Sequence, residues 1–400
     1  MYFSPMDPFE EEFDRPLPRR GTDCAKWDEA DRLFGAHDVL PLWVADMDFR
    51  APPEVMEAIV QTARHGAYGY PAFHLDSVSE ALCDWLVGRQ GWAAEPSWVI
   101  HVPGVVPALS VALEAFSAPG DRIVVQTPVY YPFLSLAREG GRACVESPLE
   151  ATDVRWSFDA DRLDRDLRGA KILMLCHPHN PVGRCWSRQE LTHILESCRR
   201  HDVMVFSDEI HGDLVQPPHR HLPAASLGIL PPHRIATFTA PSKTFNLAGL
   251  NQAAVLLERE EDRRAFERVL HRRHIPATNV VGLAAMRAAY RHGGPWLDAL
   301  LPYLAANARL VEDFCRSTLG LSAPCPEATY LAWLDCRGWG MDDRTLEEFF
   351  SKRARVGLNR GTMFGAPGTG HMRLNLATQR STLREALERI SRARAELESA

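Results

Sequence analysis

The sequence has 400 residues, 46% of them hydrophobic and 24% charged, a composition typical of a soluble globular chain with a core large enough for two domains. The formal net charge of −7 argues against nucleic acid or an anionic membrane surface as the main partner. The acidic start predicts no signal peptide, and the lack of any run of about 18 apolar residues predicts no membrane span.

Cysteine and lysine usage narrows the chemistry that the chain can perform. The nine cysteines are scattered, odd in number and contain no C-x-x-C motif, which indicates reduced thiols in a cytoplasmic protein. Lysine is rare, and the sequence contains only Lys26, Lys171, Lys243 and Lys352. A reaction that needs an amine therefore has few candidate residues.

The middle of the chain alternates helix-like and strand-like segments. In chain order, the pattern predicts a helix over 108–118, strands over 123–126 and 171–176, a helix over 187–201, and strands over 203–206 and 234–239. Ser187 and Glu190 form a capping box at the start of the second helix. Continuous apolar strands joined by helices indicate a parallel sheet that is buried on both faces.

The C-terminal part has a different pattern. It predicts a helix over 298–317, a strand over 329–334, an alternating polar and apolar segment over 371–376, and an amphipathic helix over 383–397. These elements indicate a smaller α+β domain. We therefore predict an N-terminal segment over residues 1–50 that packs with the small domain, a large domain over 51–290, and the small domain over 291–400.

Four unusual polar residues follow the ends of predicted strands, namely Tyr130, Asn180, Asp208 and Lys243. In parallel sheets, ligands bind beyond the carboxyl ends of the strands, so we expect these side chains to meet at one edge. A lysine read alone is more often a solvated surface residue. Its apolar surroundings instead predict a lowered pKa for Lys243 and a free amine suited to Schiff-base chemistry.

The other candidates have ordinary explanations when each is considered alone. Asp208 could be a helix N-cap, although a buried carboxylate could also pair with a pyridinium nitrogen. Asn180 begins an Asn-Pro turn, and Tyr130 could stack on a flat ring or fill the edge of the core. Gly104 opens a helix whose free amides could bind phosphate, as the N-termini of many helices do.

Together these residues resemble the fold type I enzymes that use pyridoxal 5'-phosphate (PLP). More narrowly, they resemble the MalY/PatB family of cysteine-sulfur β-lyases within the class I/II aminotransferase superfamily. The resemblance covers nearly the whole chain, and its matching stretches are KWD at 26–28, PLWVADMDF at 41–49, GY at 69–70, PGVVPAL at 103–109, PVY at 128–130, HPHNPVGR at 177–184, SDEIH at 207–211, SKTFN at 242–246 and RLN at 373–375.

The resemblance implies a two-domain α/β homodimer, with a large, mostly parallel mixed sheet and a smaller α+β domain. It further implies that Lys243 forms a Schiff base with PLP, that Asp208 pairs with the pyridine nitrogen, and that Asn180 binds the 3'-oxygen. Tyr130 stacks on the ring. The amides of Val105 and Val106 hold the phosphate with Ser242, and Tyr70 reaches that phosphate from the other subunit.

The same resemblance implies that Arg373 pairs with the substrate α-carboxylate and that Asn180 and Ala45 also contact the substrate. Arg373 lies on the same face of its predicted strand as His371 and Asn375. The alternative interpretation is that these three polar residues face solvent. Many aminotransferases have arginine where this chain has Asn251, a departure that argues against tight phosphate neutralisation. Many aminotransferases also have tyrosine at the position of His211, where this chain resembles the lyase family instead. The resemblance places His211 among the cofactor-binding candidates.

Two further patterns could suggest a metal. The D-x-D motif at 46–48 is weak alone, and the spacing of His211, Asp213, His219 and His221 matches no common zinc site. We therefore expect no metal.

The function that these residues predict is α,β-elimination from cystathionine or another cysteine S-conjugate, giving thiol, pyruvate and ammonia. An aminotransferase would use the same groups. A secondary-metabolism enzyme acting on a bulky S-conjugate, by elimination or oxidative decarboxylation, is a further alternative. A regulatory protein that retains the fold without catalysis is another, although the intact set of Lys243, Asp208 and Asn180 argues against it.

Overall fold

A computed structural model describes residues 8–72, 74–152, 155–275 and 278–399. Fourteen strands form within these ranges: β1 Leu40–Pro41, β2 Val99–Val102, β3 Arg122–Val125, β4 Ala143–Glu146, β5 Leu149–Ala151, β6 Trp156–Phe158, β7 Ala170–Cys176, β8 Met204–Asp208, β9 Ile235–Thr239, β10 Ala253–Leu256, β11 Leu331–Asp335, β12 Val356–Gly357, β13 Asn359–Arg360 and β14 His371–Asn375.

The same ranges contain fifteen α-helices: α1 Pro8–Asp14, α2 Ala25–Asp28, α3 Ala30–Phe34, α4 Pro53–His65, α5 Asp76–Trp85, α6 Val105–Phe116, α7 Pro132–Glu139, α8 Ala160–Leu167, α9 Arg188–Arg200, α10 Pro241–Thr244, α11 Glu260–Arg272, α12 Val280–His292, α13 Gly294–Phe314, α14 Asp343–Glu348 and α15 Arg380–Glu398. None of these helices combines the length and hydropathy needed to cross a bilayer.

A seven-stranded sheet with the order β2-β10-β9-β8-β7-β3-β4 forms the centre of the large unit. Strands β9, β8, β7, β3 and β4 pair in parallel, whereas β10 pairs antiparallel with both of its neighbours. The predicted mostly parallel mixed sheet is therefore confirmed. Strand β2 runs in the same direction as the parallel strands, so its carboxyl end lies at the same edge as theirs.

The apolar composition of the strands explains why the sheet is buried on both faces. All residues of β8 and β10 are buried, and helices cover the two faces with separate apolar clusters. The predicted capping box is present, because Ser187 accepts from the amide of Glu190 while the Glu190 carboxylate accepts from the amide of Ser187. The first predicted helix begins three residues earlier than expected, at Val105.

A second, three-stranded antiparallel sheet with the order β11-β14-β13 forms in the C-terminal part. The N-terminal segment contacts this part directly, because β1 pairs in parallel with β12 and Leu40 lies opposite Val356. The predicted helix over 298–317 lies within α13 and a π-helical extension over Cys315–Leu319. The predicted domain boundaries after residues 50 and 290 stay a prediction.

Candidate active site

A cavity of about 470 Å³ lies at the carboxyl edge of the large sheet. The elements that border it are the ends of β2, β3, β7, β8 and β9, the strand β14, and an irregular segment over residues 42–49, which we call the strap. All of the predicted site residues except Tyr70 line this cavity: Ala45, Val105, Val106, Tyr130, Asn180, Asp208, His211, Ser242, Lys243 and Arg373.

Lys243 lies in the short helix α10, immediately after β9, and its side chain faces the cavity. Its Nζ donates a 2.6 Å hydrogen bond to the carbonyl of Ala45 in the strap. Burial, together with the charge of Arg373, lowers the pKa of Lys243 to about 8, although Asp46 and Asp208 act in the opposite direction. About a tenth of this amine is therefore free at pH 7 and about half at pH 8, far more than at the ordinary pKa of 10.5, as a nucleophile or base requires.

Asp208 is the last residue of β8 and is only 5% exposed. Burial raises the pKa of this carboxyl to about 7, an effect that the amide of Ile210 opposes by donating to Oδ1 and that the charge of Glu209 increases. Its Oδ2 accepts no hydrogen bond from the described residues. A buried carboxylate with a free oxygen facing a cavity is suited to a cationic partner.

The N-terminus of α6 forms another wall of the cavity. Gly104 precedes the helix in an extended conformation, and the amides of Val105 and Val106 are in its first turn, where they have no intrahelical partner. Ser242 and Asn251 also line the cavity. Free amides and the positive end of a twelve-residue helix are suited to a phosphate group.

Arg373 is a buried cation that lacks an anionic partner within the described residues. It is 4% exposed, and its guanidinium donates to the carbonyl of Trp43 at 2.9 Å and to the side-chain oxygens of Asn180 at 3.0 Å and Asn359 at 2.6 Å. Burial lowers the pKa of Arg373 to about 10, and its Nε lacks a hydrogen bond. A carboxylate entering the cavity would supply the missing charge.

The solvated face considered for this strand is wrong. His371, Arg373 and Asn375 lie on one side of β14, and all three are buried. The strap contacts Arg373 and Asn375, while Trp156 and Trp333 pack against the His371 ring. Alternation of polar and apolar residues does not predict these long-range contacts.

Tyr130, Asn180 and His211 complete the set that was predicted from the sequence. Burial raises the pKa of Tyr130 to about 12, so this residue is a neutral phenol at the cavity wall. Asn180 uses its oxygen for Arg373, and its Nδ2 lacks a partner among the described residues. Burial, with the charges of Lys243 and Arg373, lowers the pKa of His211 to about 3, so its imidazole is neutral.

The D-x-D motif in the strap pairs with cations of the N-terminal segment. Lys26 is fully buried, and its Nζ lies 2.7 Å from Asp48 and 3.6 Å from Asp46. Arg19 contacts the same two carboxylates at 2.7 Å each. Burial alone would raise the pKa of Asp48, but Lys26, Trp27 and Arg19 hold it below its ordinary value. The motif therefore holds the strap against residues 19–27.

Two of the residues that could have suggested zinc are bonded elsewhere. His221 contacts the Glu209 carboxylate at 2.9 Å, and Asp213 accepts from Trp85, Gln90 and Thr244. Among the described residues, no group of three or more histidine, cysteine, aspartate or glutamate side chains is arranged to hold a metal ion.

Four residues of the site were not singled out from the sequence, namely Tyr131, Tyr330, Asn359 and Met363. Tyr131, Asn359 and Met363 line the cavity, and the Tyr330 hydroxyl donates to the Ala45 carbonyl at 2.9 Å. The doubled tyrosine at 130–131 was a possible signal for the first. The others come from the C-terminal part and reach the site only through the tertiary fold.

The residues of the cavity match the chemical groups of PLP. A lysine amine, an unpaired carboxylate oxygen, an unpaired amide donor, a neutral aromatic ring and a helix N-terminus all face the same space. These groups are complementary to an aldehyde, a pyridinium nitrogen, a phenolic oxygen, a planar ring and a phosphate, respectively.

Known proteins are similar to this chain over nearly its whole length. The model of the aminotransferase class I and II family matches residues 37–390. Cystathionine beta-lyase PatB of Bacillus subtilis (strain 168) is 41% identical over 384 residues, covering 95% of this chain and 99% of that protein. Protein MalY of Escherichia coli (strain K12) is 33% identical, with 93% and 96% covered. The crystal structure of cystalysin from Treponema denticola, which contains PLP, has a TM-score of 0.92 at 33% identity, with 96% and 99% covered.

Proposed function

Because the chain belongs to the aminotransferase class I and II family, together with PatB and MalY, we propose that this PLP-dependent enzyme is a carbon–sulfur β-lyase. Its substrate is cystathionine or another cysteine S-conjugate. The overall reaction consumes one water molecule and gives a thiol, pyruvate and ammonia. Similarity to a protein named cystathionine beta-lyase over nearly the full length of both chains supports this reaction class.

One observation about the cavity carries the proposal. Lys243, with an amine that is partly free at neutral pH, shares the cavity with Arg373, a buried cation without a carboxylate partner in the described chain. An amino-acid carboxylate bound to Arg373 would place its Cα within the same small space as the amine. The site is therefore suited to proton removal from Cα.

Cofactor binding would use the residues that match its groups. Lys243 would hold the aldehyde carbon, Asp208 the pyridine nitrogen, and Asn180 the 3'-oxygen. The amides of Val105 and Val106 would bind the phosphate, together with Ser242, which lines the same cavity. Tyr130 would cover the ring, and the neutral His211 would lie beside it without adding charge. When bound, PLP supplies an electron sink for negative charge at Cα.

The residues of the chain then perform the remaining tasks. Arg373 binds and orients the substrate carboxylate, with the strap at Ala45 closing that side of the cavity. Lys243, with its amine free, removes the Cα proton, for which a pKa of about 8 is suitable. The Asp208 carboxylate, once paired with the pyridine nitrogen, would stay ionised and would keep that nitrogen protonated, so that the ring accepts the negative charge from Cα. Cleavage of the Cβ–sulfur bond follows.

Elimination is favoured over transamination of a dicarboxylate because the cavity offers one guanidinium. Among the described lining residues, Arg373 is the single arginine, so the acidic side chain of aspartate or glutamate would lack a matching cation. The distal carboxylate of cystathionine differs, because an ammonium group on the same carbon balances its charge. Neutral groups, including Trp43, Tyr131 and Met363, line the remainder and leave space for a sulfur substituent.

The experiment that tests this function compares two substrate classes. The purified protein with PLP is given cystathionine or an S-alkyl cysteine and, separately, an amino acid without a leaving group plus 2-oxoglutarate. Pyruvate and thiol in equal amounts are expected from the first mixture. Glutamate with little pyruvate would instead identify an aminotransferase, and hydrogen peroxide with carbon dioxide would identify oxidative decarboxylation.

The active unit that we propose is a cytoplasmic homodimer with shared sites. Tyr70 does not line the cavity of its own chain, and its side chain is fully exposed, with Tyr68 nearby at 61% exposure. Exposed aromatic rings of this kind are suited to a subunit interface, from which Tyr70 would reach the phosphate of the neighbouring site. The odd number and scattered spacing of the nine cysteines support the cytoplasm as the location.

A further inference from the structure

Successive backbone carbonyls of the strap accept hydrogen bonds from two different sets of residues, which alternate along the chain. Of the carbonyls at odd positions, that of Trp43 accepts from Arg373 at 2.9 Å, and that of Ala45 accepts from Lys243 at 2.6 Å and from the Tyr330 hydroxyl at 2.9 Å. Those of Met47 and Phe49 accept from Asn246 at 2.9 and 2.8 Å, and Met47 also accepts from Arg19 at 3.1 Å. The two site cations therefore contact the strap through alternate peptide groups.

The carbonyls at even positions face β14 and the residues after it. The side-chain amide of Asn375 donates to the carbonyls of Val44 and Asp46, both at 2.6 Å, while its backbone amide donates to Leu42 at 2.9 Å. Gln379 donates to the carbonyl of Asp48 at 2.6 Å. Asn375 is fully buried, and its Oδ1 accepts from the amide of Ala377, so its amide has one orientation.

Asn375 therefore holds the two strap carbonyls on either side of the Ala45 carbonyl, to which Lys243 donates. We propose that Asn375 is a positioning residue for Lys243, because it holds the carbonyls of Val44 and Asp46 and thereby turns the carbonyl of Ala45 toward the Lys243 amine. The inference deepens the proposed function, in which Lys243 transfers the Cα proton. Asn375 itself does not line the cavity.

The expected effect follows from the charges around the amine. Arg373 faces Lys243 and favours the neutral amine, whereas Asp46 and Asp208 favour the ammonium, and His211 is neutral. The Ala45 carbonyl accepts a hydrogen bond that is stronger from the ammonium than from the free amine. If the carbonyl turns away, the pKa of Lys243 falls and its amine loses a fixed direction.

The test compares Asn375→Ala with Gln379→Ala in the full chain. Both changes remove an amide that donates to a strap carbonyl. Gln379 donates to the carbonyl of Asp48, which is not adjacent to Ala45 in the chain, whereas Asn375 donates to both neighbours of Ala45. The first measurement is the rate at which the cofactor-free protein takes up added PLP, followed by visible absorbance across the pH range. The others are the thermal midpoint, and kcat and KM for S-methyl cysteine.

For Asn375→Ala we expect the pH midpoint of PLP uptake to fall by about half a unit and kcat to fall about tenfold or more. For Gln379→Ala we expect an unchanged pH midpoint and a kcat within about twofold of the parent, at a similar thermal midpoint. Equal losses in the two variants, in proportion to their stability, would overturn the proposal. A parental pH midpoint and kcat in Asn375→Ala would also overturn it.

A second variant keeps the test decisive if Asn375→Ala does not fold. Asn375→Asp has the same size and still accepts from Ala377, but it cannot donate to the two strap carbonyls. Since its charge would itself raise the pKa of Lys243, kcat and KM are compared for this variant, and a parental kcat would overturn the proposal. If the parent protein produces no pyruvate, the proposed function fails, whereas the pH midpoint of PLP uptake still tests Asn375.

Discussion

Arg373 donates a 3.0 Å hydrogen bond from Nη1 to Oδ1 of Asn180. Because a guanidinium can only donate, this contact fixes the orientation of the Asn180 amide and leaves Nδ2 to face the cavity. The residue proposed for the substrate carboxylate thus also orients the residue proposed for the 3'-oxygen of PLP. Changes at Arg373 should therefore alter the cofactor spectrum as well as substrate binding.

Arg373→Lys should raise KM about ten- to hundredfold, because a lysine cannot form the bidentate contact to a carboxylate. The visible absorbance of the bound cofactor should shift in the same variant, because Asn180 loses its partner. The control is Arg360→Lys on the neighbouring strand β13, where the exposed side chain pairs with Glu347. A KM within about twofold of the parent would refute the assignment of Arg373 to the carboxylate.

Reduction with borohydride should attach PLP to the peptide that contains Lys243. The physical reason is the lowered pKa of this amine, about 8, and its place in the cavity. Lys171 and Lys352 are exposed and serve as internal controls in the same digest. A label found mainly on either of them would contradict the assignment.

Asp208→Asn should retain the fold and lose most of the activity, since each factor of ten in rate corresponds to about 1.4 kcal/mol of transition-state stabilisation. In the cofactor-free protein, the variant should also change how stability depends on pH. The folded-state pKa of Asp208 is about 7, above the ordinary value of 3.8. Between these values the unfolded chain binds fewer protons, so the stability of the parent falls as pH rises.

The free energy of unfolding of the parent should therefore fall by up to about 1.4 kcal/mol per pH unit through this window and level off above pH 7, relative to Asp208→Asn. Urea unfolding at a series of pH values measures the difference. Parallel curves for the two proteins would mean that Asp208 is not desolvated, and near-parental activity in Asp208→Asn would exclude its role at the pyridine nitrogen.

Tyr70→Phe and Lys243→Ala should each be inactive, yet a mixture that exchanges subunits should recover part of the activity. One site of the hybrid dimer would then contain both intact residues. The exposed position of Tyr70, outside the cavity of its own chain, motivates the experiment. Hybrid dimers that form but remain inactive would indicate that each subunit completes its own site.

The strands and the polar residues that follow them could be predicted because local patterns specify both. Asp208 and Lys243 each follow an apolar strand, and parallel strands bring such positions to one edge. Residue types alone did not predict their proposed roles, which the family resemblance implied. The antiparallel direction of β10 was not predictable, because a run of four buried apolar residues does not indicate whether a strand is parallel or antiparallel to its neighbours.

The strap shows what local patterns miss. Asn375 contacts carbonyls about 330 positions earlier in the chain, and Asn246 contacts others about 200 positions earlier. Backbone carbonyls carry no residue identity, so a sequence does not reveal which of them a side chain will bind. For the same reason, the D-x-D motif at 46–48 could be weighed as a metal site although its partners are Lys26 and Arg19.

The buried pair of Lys26 and Asp48 sets a limit on how the chain can be shortened. An expression vector whose reading frame started after residue 26 would leave Asp48 in the interior without its two cations, a loss of about 3–5 kcal/mol. The damage would reach Lys243, because the same segment carries the Ala45 carbonyl to which its amine donates. Affinity tags are therefore better fused behind the exposed Ser399, with residues 19–27 left intact.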